Sequence, residues 1–311
     1  MLKIAAGVLL TGVLYKKISA DFQKSDIHSY WLLLQNKRNV LLLFLSVFLM
    51  PFNWIFESIK WRMAINSTLS PISFWTSFRS VWSGVAFGNL SPGRATEFAG
   101  KILYIKNTER VTATYLHFIN GAGQMLVTLT CSVPAFLWLK YHPNELTNSF
   151  IFIFSLIVFP FITLLLGLLF FYPDLLFHQL KKIPFFKKQK QEHVNFSKTK
   201  SLKIISLSAL RYLIFSIQFC CLLILFTNGE INSGLISGIV LYYLYTTFVP
   251  MFSAVEALMR GGIAVLVFGG VLNDSVGIFI ASSFLWLINI VIPSVTGYIF
   301  FVFLKYKLVE V

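Results

Sequence analysis

Residues 202–227 read LKIISLSALRYLIFSIQFCCLLILFT, a run in which Lys203 and Arg211 are the only charged side chains. About 20 residues of helix cross the hydrocarbon of a bilayer, so this run is long enough to span it. A surface helix of a soluble domain keeps a polar stripe, whereas this run carries apolar residues on every face. The stretch therefore predicts a transmembrane helix.

The same pattern recurs along the chain. Further apolar runs cover Leu2–Tyr15, Val40–Ile59, Phe74–Leu90, Thr112–Leu139, Phe150–Tyr172, Gly234–Val249, Ala254–Val271 and Val276–Leu304. The sequence is 57% hydrophobic and 12% charged, against about 45–50% and about 25% in soluble domains. We expect an all-α, polytopic transmembrane helical bundle that forms a single domain over residues 1–311. The first run is expected to stay uncleaved, because Lys16 and Lys17 follow it directly.

The formal net charge is +14, and the basic residues lie mainly between the apolar runs. Residues 173–203 carry eight lysines, which the positive-inside rule places on the cytoplasmic side of a bacterial-type inner membrane. Anionic lipid headgroups account for such charge, so we expect no nucleic-acid partner. Cys131, Cys220 and Cys221 lie inside apolar runs without metal-ligand spacing, and neither a metal site nor a cofactor is predicted.

Two apolar segments are interrupted. Phe74–Leu90 is short and contains polar residues such as Arg79 and Ser83, and Gly234–Val271 is broken at Val249-Pro250. Exposed backbone groups in hydrocarbon cost several kcal/mol each, so such breaks survive where protein or a watery cavity covers them. Interruptions in both halves of a chain indicate a binding site at the interface of an inverted repeat. The possible repeats are residues 39–139 and 202–304, joined by a segment that contains the basic loop 173–203.

The loop charges suggest an orientation for these segments. Residues 141–149 and 228–233 carry almost no positive charge and should face outward. Gly234–Val271 would then enter and leave on the outside as a re-entrant hairpin, with a mirror-image hairpin after Phe74. This layout, which we favour, puts the five positive charges of residues 16–38 outside. They fall inside if Phe74–Leu90 spans the membrane fully.

The first interruption contains the sequence Asn89-Leu90-Ser91-Pro92-Gly93-Arg94-Ala95-Thr96-Glu97. Proline fixes φ and glycine permits a chain reversal, so this stretch predicts a turn. Arg94 and Glu97 follow at helical spacing, and Glu97 is one turn from Lys101. The alternative is an ordinary interfacial loop with surface ion pairs.

The second interruption carries charge at membrane depth. Glu256 and Arg260 lie one helical turn apart and can neutralise each other, and buried charges in a bundle usually face its interior. Arg260 could bind a phosphate as a bidentate donor; alternatively, the two residues form a self-contained ion pair that locks a hairpin tip. The residues expected to shape this turn are Pro250, Gly261 and Gly262.

Other polar residues in the apolar runs give weaker signals. Arg211 and Gln218 are about two turns apart and could line one cavity. The residues interpreted as interfacial side chains that snorkel towards water are Glu57, Lys60 and Arg62. Those interpreted as sources of helix–helix hydrogen bonds are Asn53, Asn120 and Gln124. His117 is interpreted as structural, and no catalytic motif is present.

At these positions the chain resembles the flippase-like membrane region of lysylphosphatidylglycerol synthases, which also occurs as a stand-alone protein. The family motif Asn-x-x-Pro-Gly-Arg, glycine, Glu is similar to residues 89–97, with Thr96 at the glycine position. The similarity continues in Arg211-Tyr212 with Gln218, and in residues 286–289 with Pro293 and Gly297. The family's second motif, a proline, a glycine-rich turn and an Arg-Glu pair, is rearranged here around Pro250, Glu256 and Arg260.

The resemblance implies movement of a phospholipid or lipid-linked anionic headgroup between leaflets. Its expected substrate-binding residues are Arg94, Glu97, Glu256, Arg260, Asn89, Arg211 and Gln218, with turns shaped by Pro92, Gly93, Pro250, Gly261 and Gly262. Only seven residues follow Leu304, so we expect no aminoacyl-transferase domain. Two alternatives stay open: a membrane-embedded lipid-modifying enzyme with Glu97 or His117 as general base, and a scaffold whose basic loop docks a partner enzyme or the anionic inner leaflet.

Overall fold

The computed structural model describes residues 27–141, 149–171, 197–249, 251 and 255–309, and every regular element in these ranges is helical. The first apolar run, most of the basic loop and Pro250 lie outside the described residues. The helices are α1 (Ile27–Leu33), α2 (Lys37–Thr68), α3 (Phe74–Gly88), α4 (Glu97–Ile102), α5 (Arg110–Tyr141), α6 (Ser149–Phe171), α7 (Lys198–Thr227), α8 (Ser233–Phe248), α9 (Glu256–Phe268), α10 (Ser275–Trp286) and α11 (Ile292–Val309).

Three of the described helical segments are long and apolar enough to cross a membrane. They are α2, α7 and the continuous stretch Ser275–Leu304, which joins α10 to α11. Helix α2 packs along α7, and α3 packs between α4 and α11. The predicted transmembrane helical bundle is confirmed.

Helix α2 buries several polar side chains and exposes several apolar ones. Asn39, Ser46 and Asn53 are buried, whereas Phe44 and Phe48 are 63% and 52% exposed. In water this arrangement would be unfavourable, but in a bilayer the exposed phenyl rings meet lipid and the polar groups find partners in the bundle. The buried polar face of α2 therefore packs inside the bundle, and Asn53 on this face lines an internal cavity.

The first interruption separates α3 from α4 at the predicted turn. Gly93 has a φ of 61°, and Arg94 has a φ of 58° in the left-handed region that side chains rarely adopt. The turn brings α4 back against α3 so closely that a Cβ on Gly100 would lie 2.5 Å from the Ser83 carbonyl oxygen. Thr96, at the position of the family's glycine, donates its hydroxyl to the Phe87 carbonyl oxygen.

The second interruption separates α8 from α9, and it touches the first. The Gly93 backbone N–H donates to the Met251 carbonyl oxygen over 2.7 Å. The prediction of two interrupted segments is confirmed; their re-entrant course and the inverted repeat stay predictions.

One prediction about the second interruption is wrong. Gly261 and Gly262 were expected in a turn, but both lie inside α9, because the break ends before Glu256. Gly261 instead packs directly against the Phe279 ring of α10. The absence of a side chain there serves close packing between α9 and α10 and not a chain reversal.

Helices α10 and α11 are joined by a π-helical turn, Leu287–Val291. A π turn widens the helix by one residue and often occurs at functional sites. This turn carries Asn289, whose side-chain amide donates to Gln218 Oε1 over 3.2 Å. The sequence did not predict it.

Candidate functional site

A cavity of about 570 Å³ lies between the two interruptions. Its polar and charged lining residues include Asn53, Glu57, Lys60, Arg94, Glu97, Lys101, His117, Asn120, Gln124, Arg211, Arg260 and Asn289. Four of the predicted site residues, Arg94, Glu97, Arg211 and Arg260, are thus brought together from α4, α7, α9 and the first turn.

Three other predicted site residues do not line the cavity. Glu256 lies behind Arg260 and holds it, with Oε1 2.8 Å from Nη2. Asn89, which caps the C-terminal end of α3, donates to the Ser294 hydroxyl of α11. Gln218 is fully buried and donates to the Ser46 carbonyl oxygen over 2.7 Å, tying α7 to α2.

Arg94 presents an incompletely satisfied guanidinium to the cavity. Its Nη2 lies 3.3 Å from Glu97 Oε2. This contact is an ion pair and does not have hydrogen-bond geometry. Within the described ranges, neither Nε nor Nη2 has a hydrogen-bond partner. The side chain lies over Gly88, where a Cβ would come within 3.2 Å of Nε. The left-handed backbone of Arg94 and the bare surface of Gly88 together hold this guanidinium at the cavity wall.

Arg260 reaches the same cavity from the second interruption. Its Nε donates to Glu256 Oε1 over 2.9 Å. The predicted Glu256–Arg260 pair is therefore present. The guanidinium is held by a carboxylate of its own helix, α9, while it lines the cavity.

Glu57 is the centre of a buried ionic network that sequence reasoning missed. The interpretation of Glu57 and Lys60 as interfacial side chains is wrong, because they are 6% and 0% exposed. Helix α2 continues to Thr68, well past the end of its apolar run, so both residues lie inside the bundle. Arg62 is exposed, as expected. The available signal was spacing, since Glu57 and Lys60 continue the polar face of α2.

Four side chains donate to the Glu57 carboxylate. Oε1 lies 3.2 Å from Lys101 Nζ and 2.9 Å from Asn120 Nδ2. Oε2 lies 3.3 Å from Lys60 Nζ and also pairs with Arg211 Nη1. These donors come from α2, α4, α5 and α7, so one carboxylate joins four helices.

The network continues from Glu57 to both sides of the cavity. Lys101 Nζ lies 3.0 Å from Glu97 Oε1, which links Glu57 to the Arg94 pair at the first interruption. On the other side, Arg211 Nε donates to Asn53 Oδ1 over 2.8 Å, and Asn53 donates to Asn289 of the π turn. The predicted helix–helix hydrogen bonds of Asn53, Asn120 and Gln124 are all present.

Positive charge predominates in the cavity wall. Among the described residues that line it, five basic side chains (Lys60, Arg94, Lys101, Arg211 and Arg260) face two carboxylates (Glu57 and Glu97), a formal charge of +3. Glu256 behind Arg260 reduces it to +2. Unbalanced charge away from water is costly, so an anion is favoured in this space.

The bundle and its charged cavity define a polytopic integral membrane protein with an internal polar site. Residues 1–263 match the family described as the lysylphosphatidylglycerol synthase TM region, and the chain belongs to this family. The resemblance found in the sequence is confirmed. No curated protein matches the chain. Family and fold together make it an integral membrane protein associated with lipid handling.

Proposed function

We propose that the protein moves an anionic lipid headgroup, of a phospholipid or a lipid-linked molecule, between the leaflets of the bacterial cytoplasmic membrane. The observation that carries this proposal is the excess of basic side chains in a cavity enclosed by two interrupted segments. Lipid phosphates are anions that arginine binds with paired N–H groups. Arg94 and Arg260 would hold the phosphate, and Glu97 and Glu256 would orient the two guanidinium groups.

The shape of the cavity supports a lipid substrate. Phe118 and Gly121 on α5 and Thr247 on α8 line the cavity, and all three are exposed. The cavity therefore opens sideways between α5 and α8, towards the region that lipid tails occupy in a bilayer. A headgroup could enter by this opening while its acyl chains stay in hydrocarbon, which avoids the cost of moving a phosphate through apolar surroundings.

The contact between the interruptions supports movement. The Gly93–Met251 hydrogen bond joins the two turns, and one such bond contributes about 1 kcal/mol net. Interrupted segments form the binding site of many transporters, in which one repeat or bundle rocks against the other around that site. Breaking and re-forming this weak link would let the headgroup reach first one leaflet and then the other.

The test uses protein reconstituted in phosphatidylcholine vesicles that contain a fluorescent short-chain phosphatidylglycerol. Dithionite bleaches probe in the outer leaflet, so movement shows as loss of the protected fraction. We expect Arg94→Gln and Arg260→Gln to slow movement at least tenfold, because each removes a charge-assisted bond of about 1.5–3 kcal/mol. The matched control is Arg62→Gln on the exposed surface of α2.

Parental rates in both cavity variants would refute the assigned roles. The same vesicles are then extracted and their lipids weighed by mass spectrometry. A new lipid mass that depends on the protein would replace transport with lipid modification, for which His117 in the cavity wall would be the first residue to test.

A further inference from the structure

A second hollow lies on the opposite side of α5 from the charged cavity. It is a groove of about 800 Å³ between α5, α6 and α7. Its wall includes Leu126 and Cys131 of α5, Gly167 of α6, and Lys198 and Ala209 of α7. Leu164, which also lines it, is 64% exposed, so the groove opens towards the surrounding membrane.

The groove presents an apolar wall. Thr130 and Thr163 line it, but their hydroxyls donate to the carbonyl oxygens of Leu126 and Phe159 in their own helices, over 2.8 and 2.7 Å. Lys198 is the one charged side chain among the described residues that line it. The groove thus offers hydrocarbon contacts along its length and a single positive charge.

The length of the groove matches one leaflet. Lys198 and Ala209 are separated by about 16 Å of helix rise along α7. Half of the bilayer hydrocarbon is about 15 Å thick. Lys198 begins α7 at the end of the basic loop, and basic residues at the end of a transmembrane helix are expected beside the anionic headgroups of the inner leaflet.

The groove is separate from the charged cavity. Gln124 and Thr128 of α5 face the cavity, whereas Leu126 and Cys131 face the groove. Between them the wall is closed by the hydrogen bond from Gln124 Nε2 to the Ser208 carbonyl oxygen, over 3.3 Å. A molecule in the groove therefore does not occupy the site of the proposed headgroup.

We propose that this groove binds an acyl chain of an anionic phospholipid whose phosphate pairs with Lys198. The occupant belongs to the leaflet at the N-terminal end of α7. An apolar slot one leaflet long, with a cation at headgroup level, complements this molecule at both ends. The site does not depend on lipid movement through the charged cavity.

The experiment uses the full chain in phosphatidylcholine vesicles with a phosphatidylglycerol that carries a diazirine in one acyl chain. Irradiation and peptide mass spectrometry locate the attachment. We expect labelling to concentrate in residues 126–131 and 163–171. Lys198→Gln should lower the labelling of these residues about fivefold, because one lysine near an anionic headgroup strengthens binding by about that factor. A phosphatidylcholine probe with the same diazirine should label the groove equally in both proteins.

Glycine offers a matched pair of variants. A Cβ at Gly167 would meet only Leu126 Cδ2, at 3.9 Å, and a Cβ at Gly121 in the charged cavity would meet no atom within 4 Å. Leucine is also preferred to glycine within a helix, so both side chains should fill their hollows without unfolding the protein. Gly167→Leu should abolish the groove labelling, and Gly121→Leu should leave it intact.

Two results overturn the proposal. One is labelling as strong at the lipid-facing Phe44 and Phe48 of α2 as in the groove, which would mean ordinary lipid contact. The other is linkage of two copies through Cys131 by a bifunctional maleimide, which would make the groove a subunit interface. Groove labelling in a protein that moves no fluorescent lipid would leave this site standing and remove the proposed transport function.

Discussion

Replacement of Glu57 by glutamine tests the ionic network most severely. Glutamine keeps the shape of the side chain and one carbonyl acceptor, which can still serve Asn120. It removes the negative charge that faces Lys60, Lys101 and Arg211. Lys60 and Lys101 are 0% and 1% exposed, so water cannot replace the lost partner.

The expected cost follows from this burial. Removing one partner of a buried ion pair costs about 3–5 kcal/mol, because the opposite charge is left uncompensated. Lys101 keeps Glu97 as a partner at 3.0 Å, whereas Lys60 has no other carboxylate among the described residues. For a domain of about this size, each kcal/mol shifts the unfolding temperature by about 2–4 °C, so Glu57→Gln should lower it by roughly 6–20 °C.

Tryptophan fluorescence of the purified protein in detergent during heating measures this shift. Glu230→Gln is the matched control, since Glu230 is exposed between α7 and α8 and should leave the unfolding temperature unchanged. Lys60→Met added to Glu57→Gln removes the uncompensated charge and should recover part of the loss. Equal unfolding temperatures for Glu57→Gln, Glu230→Gln and the parent would refute the idea that this carboxylate holds four helices together.

Three further predictions concern packing, the cavity opening and pH. Gly100→Ala should lower the free energy of unfolding by about 1–3 kcal/mol, because its Cβ overpacks α4 against Ser83. Thermal unfolding measures this loss, and Gly121→Ala, whose Cβ meets no atom within 4 Å, is the control that should leave the unfolding temperature unchanged. Gly121→Leu should block lipid movement in vesicles without lowering that temperature, and parental movement would show that headgroups do not pass α5. Burial and the 2.7 Å bond to Asp274 raise the pKa of Tyr30. The hydrogen bond should therefore stabilise the fold below about pH 10, and this contribution should be lost as the pH rises further. The free energy of unfolding should fall less steeply above about pH 10 in Tyr30→Phe than in the parent.

The fold was largely predictable because its dominant signal is physical and local. Apolar runs longer than about 20 residues have few alternatives to spanning a bilayer. The interruptions were predictable for the same reason, since Pro92-Gly93 and the charges Glu256 and Arg260 disrupt runs that are otherwise apolar. Of the four cavity residues predicted from the sequence, Arg94, Glu97 and Arg260 lie at or inside such disruptions, whereas Arg211 is a charged residue within the continuous apolar run of α7.

The ionic network was not predictable, because it depends on packing across helices. The spacing of Glu57 and Lys60 along the polar face of α2 indicates that they are buried, but no local pattern identifies the groups of α4, α5 and α7 that reach them. Lys101 can bridge Glu57 and Glu97 only because Gly100 lets α4 lie against α3. The π turn at Asn289 has no signal in the sequence for the same reason.

The affinity of the cavity for an anionic lipid tests most directly whether Arg94 and Arg260 form a headgroup site. Native mass spectrometry of the protein in neutral detergent gives the affinities of a short-chain phosphatidylglycerol and the matching phosphatidylcholine. We expect phosphatidylglycerol to bind more tightly. All variants are compared in a Lys198→Gln background, so that the groove adds no preference for phosphatidylglycerol. In this background Arg94→Gln and Arg260→Gln should each weaken its binding at least tenfold, and the double variant should bind both lipids equally. Undiminished preference for phosphatidylglycerol in the double variant would contradict a headgroup site between the two interruptions.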